Sequence, residues 1–335
     1  MTMSAGSTWL PADAQLPGRL RAARRVGAGS PRTLHHDGQR HDYGQREDRR
    51  MAMTGMVVTT HVELPEQAIM RFAEQVRTGA IDEPTGQMRL GFDLGTANIV
   101  VAVVDAANHP IAGGWVHSTV VRDGVVVDWA GATSAVRALR ADVEQRLGHE
   151  FTKASISIPP GISDGDIQVF ANVIGAAGLD LDEVVDEPVA AARAMGITDG
   201  AVIDVGAGTT GVSILEDGKV VLSVDEATGG HHMTLVLAGS NNIDYDQAEA
   251  MKKDPQYREQ VLGTIRPTLD KMATIAAQAL GSRDVPAVYL VGGSSSFESA
   301  PAIFEARLHR PVVRPAQPLF ITPLGIPMPA QEESR

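Results

Sequence analysis

The chain has no cysteine, which removes disulfides, thiolate chemistry and cysteine-based zinc sites together. It has no surplus of positive charge either. The net charge is −12 at pH 7, so bulk electrostatics speak against a nucleic-acid partner. No apolar run approaches the roughly 20 residues a helix needs to span a bilayer, and no secretory apolar segment follows the start. These absences predict a soluble protein, most simply cytoplasmic, with neither membrane nor nucleic acid as partner. At 335 residues the chain is long enough for two domains or lobes of ordinary size.

The charge is unevenly spread. Residues 1–50 hold nine Arg and five Asp or Glu, a balance of +4 that leaves −16 for the rest. They contain several Gly and Pro and the pair His35–His36, and show neither helical nor strand periodicity. Composition predicts that residues 1–55 are a disordered tail, or that translation begins later, at Met51, Met53 or Met56. A basic arm that docks on an acidic partner and a targeting peptide are the alternative readings.

Two glycine-rich turns dominate the rest of the chain. Ala201-Val-Ile-Asp-Val-Gly-Ala-Gly-Thr-Thr-Gly-Val-Ser-Ile-Leu215 reads as strand, tight turn, strand, with Asp204 at the turn's entrance. Arg89-Leu-Gly-Phe-Asp-Leu-Gly-Thr-Ala-Asn-Ile-Val-Val-Ala-Val-Val-Asp105 repeats the layout. Asp93 matches Asp204, 111 positions apart, Gly95 matches Gly206, and Thr96 and Asn98 sit in the first turn. Glycines without Cβ let backbone N–H groups close on an anion, and the Thr hydroxyls add donors. A carboxylate at a strand end suits a hydrated Mg²⁺, which keeps most of its waters. Each copy continues into a further strand, Trp115 to Val121 and Lys219 to Asp225. The repeat predicts two similar halves whose hairpin tips face a shared cleft.

Periodicity supplies the remaining elements. Pro65 to Arg77 predicts a peripheral packing helix on Ile69, Phe72 and Val76. Asp123-Gly124 marks a hairpin within Val120–Trp129. Ala132 to Leu147 and Asp166 to Ala177 read as amphipathic helices, with a strand at Ala154 to Ile158 between them. Gln260 to Leu280 is a long helical pattern that Pro267 is expected to kink or to divide. Ala287 to Val291 and Pro311 to Arg314 read as strands. His231-His232 is a poor metal site, because adjacent side chains rarely converge on one ion and no third ligand is spaced for it.

Asp93-Leu-Gly-Thr resembles the first phosphate loop of the actin/DnaK-type ATPase superfamily, and Asp204-Val-Gly-Ala-Gly-Thr-Thr its second. Arg122-Asp-Gly-Val-Val resembles a segment of MreB-type proteins, and Pro159-Pro160-Gly161 the superfamily's strand end that precedes the first connecting segment. The run over roughly residues 62–328 is similar to the ethanolamine utilization protein EutJ family. The resemblance implies an α/β, two-lobed actin-like ATPase (ribonuclease H-like) fold. Each lobe would be a mixed five-stranded sheet with flanking helices and reduced lobe-tip insertions. The first lobe would span 56–196 and the second 197–328, with 311–328 packing back toward the first and a tail at 329–335.

The same resemblance implies a site for ATP with Mg²⁺ between the lobes. Asp93 and Asp204 would hold Mg²⁺ through water. Gly95, Thr96, Ala97, Asn98, Gly206, Ala207, Gly208, Thr209 and Thr210 would cradle the phosphates. Glu187, in a first connecting segment Asp186-Glu-Pro-Val-Ala-Ala-Ala192, would orient the attacking water as general base. Read alone, Glu187 is an acid favoured at a helix start beside Pro188. Gly229-Gly230 would lie beside the nucleotide, and Glu249 and Lys252 around ribose and adenine, although an exposed charged turn explains the latter pair as well. Gly292, Gly293 and Ser294 would approach the base and α-phosphate, and Leu319–Ile326 would form the second connecting segment.

Departures from the relatives shape the function expected. DnaK-type chaperones carry a separate peptide-binding domain, which this chain is expected to lack. The tip insertions through which actin and MreB build filaments are short here. The first lysine is Lys153, so the lysine that DnaK-type enzymes place at the γ-phosphate is missing; Arg122 would replace a point charge with a fork. Nucleotide binding is therefore better supported than fast hydrolysis. The implied role is that of an ATP-binding, chaperone-like accessory protein, a slow ATPase, monomeric or a small oligomer. Its protein clients would be enzymes of amine (ethanolamine-type) catabolism in bacterial microcompartments. A non-hydrolysing nucleotide-gated scaffold, a filament-forming protein and a small-molecule kinase of the same superfamily are the alternatives.

Overall fold

The two glycine-turn repeats fold into two sheets of the same design in the computed structural model, which describes residues 63–122 and 124–329. The expectations for residues 1–55, for Asp123 in its turn and for the tail beyond Pro329 lie outside the described residues. Helix α1 (Glu63–Thr78) precedes the hairpin strands β1 (Arg89–Leu94) and β2 (Asn98–Val104), and β3 (Pro110–His117). A small hairpin, β4 (Val121–Arg122) and β5 (Val125–Val126), leads into α2 (Trp129–Leu147), β6 (Lys153–Ile158), α3 (Asp164–Ala176) and β7 (Asp180–Asp186). Helix α4 (Glu187–Met195) crosses to the second half. There β8 (Gly200–Val205), β9 (Thr210–Glu216) and β10 (Lys219–Glu226) precede α5 (Gly230–Asn241), α6 (Tyr245–Lys253) and α7 (Arg258–Leu280). The last elements are β11 (Val288–Val291), α8 (Ala300–Leu308), β12 (Val312–Val313) and α9 (Ile321–Gly325).

The first sheet has the order β3-β2-β1-β6-β7 and the second β10-β9-β8-β11-β12. In both, three antiparallel strands continue into two parallel ones. Apart from Asn98 and Asp204, strands β2 and β8 are apolar because both faces are covered, so they read as runs rather than alternations. Local signals set the helix ends. Asp128 accepts from Gly131 N at 2.9 Å to start α2, which stops at Gly148 with φ 61°.

Each sheet has its own core, and a third cluster lies between them. It joins Val100, Ala102 and Val104 of β2 to Val202 and Val291 of the second sheet through α1, α4 and α9. Helix α1 is therefore not peripheral, as its sequence suggests. Its stripe of Ile69, Phe72 and Val76 is buried in this inter-sheet cluster, and Phe72 meets Phe320 edge-on at 6.1 Å. Burying a phenylalanine is worth about 2–3 kcal/mol, so the helix helps to close the two halves.

Three further expectations are corrected. Strand β3 runs Pro110–His117 rather than Trp115 to Val121. Gly113 and Gly114 weaken its strand signal, yet a Cβ at Gly113 would lie 2.6 Å from Phe72 and Val76, so the bare backbone is what admits α1. Asn98 opens β2 instead of lying in the turn. Helix α7 runs unbroken through Pro267, so the proline does not divide it or start a new helix. Pro267 and Gly263 both lie on the exposed face, where the carbonyl that the proline leaves without a donor meets water. Strand β7 has no strand signal, since Asp180, Asp182, Glu183 and Asp186 interrupt it; it is a sheet edge. The segment after β12 returns to the first sheet, where Arg89 Nε donates to Pro327 O at 2.9 Å and Gly91 leaves room for Ile326 and Pro327.

Candidate nucleotide site between the sheets

The repeat places its two aspartates symmetrically. Asp93 is the last residue but one of β1, and Asp204 the last but one of β8. Ser157 Oγ donates to Asp93 Oδ1 at 3.4 Å. Thr322 Oγ1, from α9, donates to Asp204 Oδ2 at 2.5 Å. The other Asp204 oxygen has Gly292 beside it, where a Cβ would come within 2.2 Å of it. Glu187 opens α4 and faces the same cluster.

This cluster is strongly acidic. Burial, then the charge of Asp204, pushes the Asp93 carboxyl up to about 7, against a weaker pull from Ser157. Burial pushes Asp204 up to about 6, with the Thr322 hydroxyl opposing. Glu187 is raised well above its ordinary value by burial and then by Asp204, Asp93, Asp225 and Asp186. Asp225, near the end of β10, is pushed up to about 6 by burial while the Thr209 hydroxyl bonds to it and lowers it. Burial also raises Asp186, against a hydrogen bond from Ser223. No basic side chain is among the causes acting on these five acids. Asp93 and Glu187 remain partly open to the cleft, whereas Asp204 is buried. Uncompensated carboxylates converging on one cleft suit a cation. Among the described residues no three His, Cys, Asp or Glu are placed to ligate a metal directly, so water-mediated contacts fit the donor set.

The second glycine turn is held from behind. Gly230 N donates to Gly206 O at 3.0 Å and His231 N to Ala207 O at 2.7 Å. A trans peptide carries its N–H opposite its C=O. Tying those two carbonyls to the start of α5 therefore turns the N–H groups of Ala207 and Gly208 the other way, off α5. Gly206 N donates to Thr209 O at 3.0 Å and closes the loop. Only glycine fits at 229, where a Cβ would lie 2.5 Å from Ala207 O; at 230 a Cβ would lie against Ser294 Oγ. The first turn is similar in outline. A Cβ at Gly95 would come within 2.9 Å of Asn98 O, and Ala97 O accepts from Ser118 N at 3.0 Å. Thr96 follows at the same tip.

Several predicted site residues make contacts within the chain. Thr210 Oγ1 is buried and donates to Thr228 O at 2.6 Å, and the Thr209 hydroxyl bonds to Asp225. The second loop offers backbone donors. Glu249 and Lys252 pair at 2.6 Å; Lys252 Nζ also donates to Gly230 O at 3.0 Å and Thr234 Oγ1 at 2.5 Å. They brace α5 against α6, a role their spacing alone does not reveal. Gly292 has φ 85°, and Gly292 N donates to Pro318 O at 3.0 Å; Gly293 and Ser294 begin the turn after β11. His232 Nδ1 accepts from Gly229 N at 3.2 Å and His231 Nδ1 meets the Tyr245 hydroxyl at 2.9 Å, so the histidines cap and pack. Arg122 is exposed on β4.

Sequence reasoning missed Thr322, Asp225 and Ser157. A threonine within an apolar connecting segment is a legible signal for Thr322. An acid and a serine near strand ends carry none without the sheet register.

The Hsp70 protein family model matches residues 131–254. The ethanolamine utilization protein EutJ of Salmonella typhimurium is 40% identical over 238 residues, covering 71% of this chain and 84% of that protein. The crystal structure of EutJ from Carboxydothermus hydrogenoformans superposes with a TM-score of 0.73 at 41% identity, covering 78% of this chain and 97% of that one. MreB5 of Spiroplasma citri, solved bound to ADP, superposes with a TM-score of 0.58 at 19% identity, covering 71% of this chain and 94% of that one. The architecture is the actin-like ATPase fold.

Proposed function

The chain belongs to the ethanolamine utilization protein EutJ family, and from that premise we propose that it is a nucleotide-gated accessory protein of ethanolamine-type amine catabolism. It binds ATP with Mg²⁺ between its two sheets, hydrolyses it slowly, and acts in a chaperone-like way on client enzymes, including those housed in bacterial microcompartments. The observation that carries the nucleotide reading is the second glycine turn. Its Gly206 and Ala207 carbonyls are tied to α5, which turns the Ala207 and Gly208 N–H groups away from that helix, in the turn that Asp204 leads into. Backbone donors next to carboxylates that have no basic partner suit a phosphate chain that brings its own cation. The MreB5 neighbour that holds ADP is consistent with that choice.

Each residue then has one task. Ala207 and Gly208 donate to phosphate oxygens through their backbones. Asp93 and Asp204 accept from waters of the cation. Glu187 accepts from the attacking water and orients it. A Mg²⁺ held there through water by Asp93 and Asp204 would supply charge neutralisation. Gly229, Gly230 and Gly292 keep the loops close enough for these contacts. A ligand that touches both sheets favours the closed arrangement, and closure is the output presented to a client.

Glu187 favours a second reading. Burial, and then four neighbouring acids, push it toward its protonated form, which cannot accept a proton from water. A scaffold that binds nucleotide without hydrolysing it has the same site and differs only in turnover.

The test is ATP binding and phosphate release on the full chain beside Asp204→Ala and Glu187→Ala. The expected result is Mg²⁺-dependent binding lost in Asp204→Ala, with slow release abolished in Glu187→Ala while binding persists. Binding without release in wild type selects the scaffold. No binding in wild type ends the proposal.

A further inference from the structure

Both connecting helices bring a residue to the acidic cluster. Helix α4 opens with Glu187, and three residues later Ala190 meets α9. Helix α9 carries Thr322, and three residues later Gly325 lies against the Ala190 carbonyl. The two helices thus touch the site and each other within one helical turn. Thr322 is buried, and its hydroxyl proton goes to Asp204 Oδ2 at 2.5 Å, a contact spanning 118 residues of sequence. Glycine at 292 keeps the space beside the other Asp204 oxygen free, since a Cβ there would collide with it. The carboxylate is consequently held through one oxygen, with the other left for a ligand.

The chemistry of that donor matters. A lysine or arginine at this place would orient Asp204 and also neutralise it. A hydroxyl orients the carboxylate and leaves its charge intact for a cation. Threonine is also stiff at χ1, so it holds one direction better than a serine would. We propose that Thr322 is a positioning residue that presents Asp204 to the nucleotide-bound cation and transmits occupancy of the cleft into the α4–α9 crossing. This rests on the nucleotide reading given above, and it adds a role for a segment distant in sequence from both glycine turns.

The test uses ADP, which no hydrolysis can confuse, and the full chain as wild type, Thr322→Val, Thr322→Ala and Thr322→Ser. ADP affinity is measured by calorimetry in Mg²⁺ and again in EDTA, and protease protection of the α4–α9 region is followed with and without Mg²⁺–ADP. Loss of a partner behind a metal-holding group costs about 10- to 100-fold in metal-dependent affinity. Thr322→Val is expected to lose that factor in Mg²⁺ and nothing in EDTA, to lose the ligand-induced protection, and to be matched by Thr322→Ala. Thr322→Ser restores most of both. Thr322→Ala carries the comparison if valine disturbs folding. Equal losses in Mg²⁺ and EDTA would make Thr322 a packing residue only and overturn the inference. So would wild-type affinity in Thr322→Val and Thr322→Ala, which leaves the nucleotide reading intact. Wild type that binds no ADP overturns both.

Discussion

A Cβ added at Gly325 would lie 1.7 Å from the carbonyl oxygen of Ala190, so the two connecting helices cross with backbone against backbone. Side-chain rearrangement cannot relieve such a clash, because the obstacle is the α4 main chain. Gly325→Ala is expected to destabilise the protein by about 3 kcal/mol, the upper part of the usual range for overpacking, read as a lower urea midpoint. Gly239, exposed in α5 with nothing within 4 Å of its Cβ position, is the contrast. There alanine gains about 0.5–1 kcal/mol of helix preference. A tolerated Gly325→Ala would contradict the close crossing.

The acidic cluster dictates a pH dependence whose sign can be worked out. Asp93, Asp204 and Asp225 rise from an ordinary 3.8 to about 7, 6 and 6. The folded chain therefore binds more protons than the unfolded chain between about pH 4 and 7. Stability contributed by these groups is full below that window and is lost as pH rises through it. Asp225, partly exposed, contributes least. In EDTA the melting temperature should be about 5 °C lower at pH 8 than at pH 5.5, and Mg²⁺ with nucleotide should remove the difference. A melting temperature that climbs across this interval in EDTA would refute it.

The glycine turns made the two-sheet fold and its cleft legible. Asp93, Asp204 and the glycines beside them recur at matched positions, and few backbone arrangements need that pattern. Glu187 was legible only in company, since a helix-start acid beside Pro188 has an ordinary explanation. What stayed hidden depends on distance in sequence. Thr322 meets Asp204 across 118 residues, and Asp225 reaches the cluster only because β10 pairs with β9 so that Asp225 lies opposite Gly211. The acidic β7 failed for another reason: edge strands tolerate charges that a strand pattern excludes. Strand β3 failed because its glycines serve α1.

Pro267 lies inside the 23-residue helix α7 without dividing it. The proline gives up one backbone hydrogen bond and crowds the carbonyl of Gly263. Pro267→Ala should therefore stabilise the protein, by about 1–3 kcal/mol on helix preference. Chemical unfolding measures the gain directly, and since both residues face solvent, ADP affinity should not change.

Two adjacent lysines separate a buried brace from a surface pair. Lys252 is nearly buried and holds Glu249, Thr234 Oγ1 and Gly230 O together. Burial raises the Glu249 carboxyl, but Lys252, Thr234 and Lys253 outweigh it and hold the group down to about 2. Removing Lys252 leaves the half-buried Glu249 carboxylate with Thr234 and Lys253 as its partners, so Lys252→Ala should cost about 1–3 kcal/mol, below the penalty for a fully buried pair. Lys253 reaches the same carboxylate at 2.9 Å from a half-exposed position. Lys253→Ala should cost at most about 1 kcal/mol. Because Glu249 is depressed below its ordinary 4.5, the wild-type brace is complete above that pH and fails as pH falls toward 2. The wild-type advantage over Lys252→Ala should accordingly shrink between pH 5 and pH 3, measured by urea unfolding at each pH. The Gly230 carbonyl that Lys252 holds belongs to the residue whose N–H ties down Gly206, so Lys252→Ala should also weaken ADP binding. If stability falls and ADP affinity does not, the brace is separate from the loop it supports.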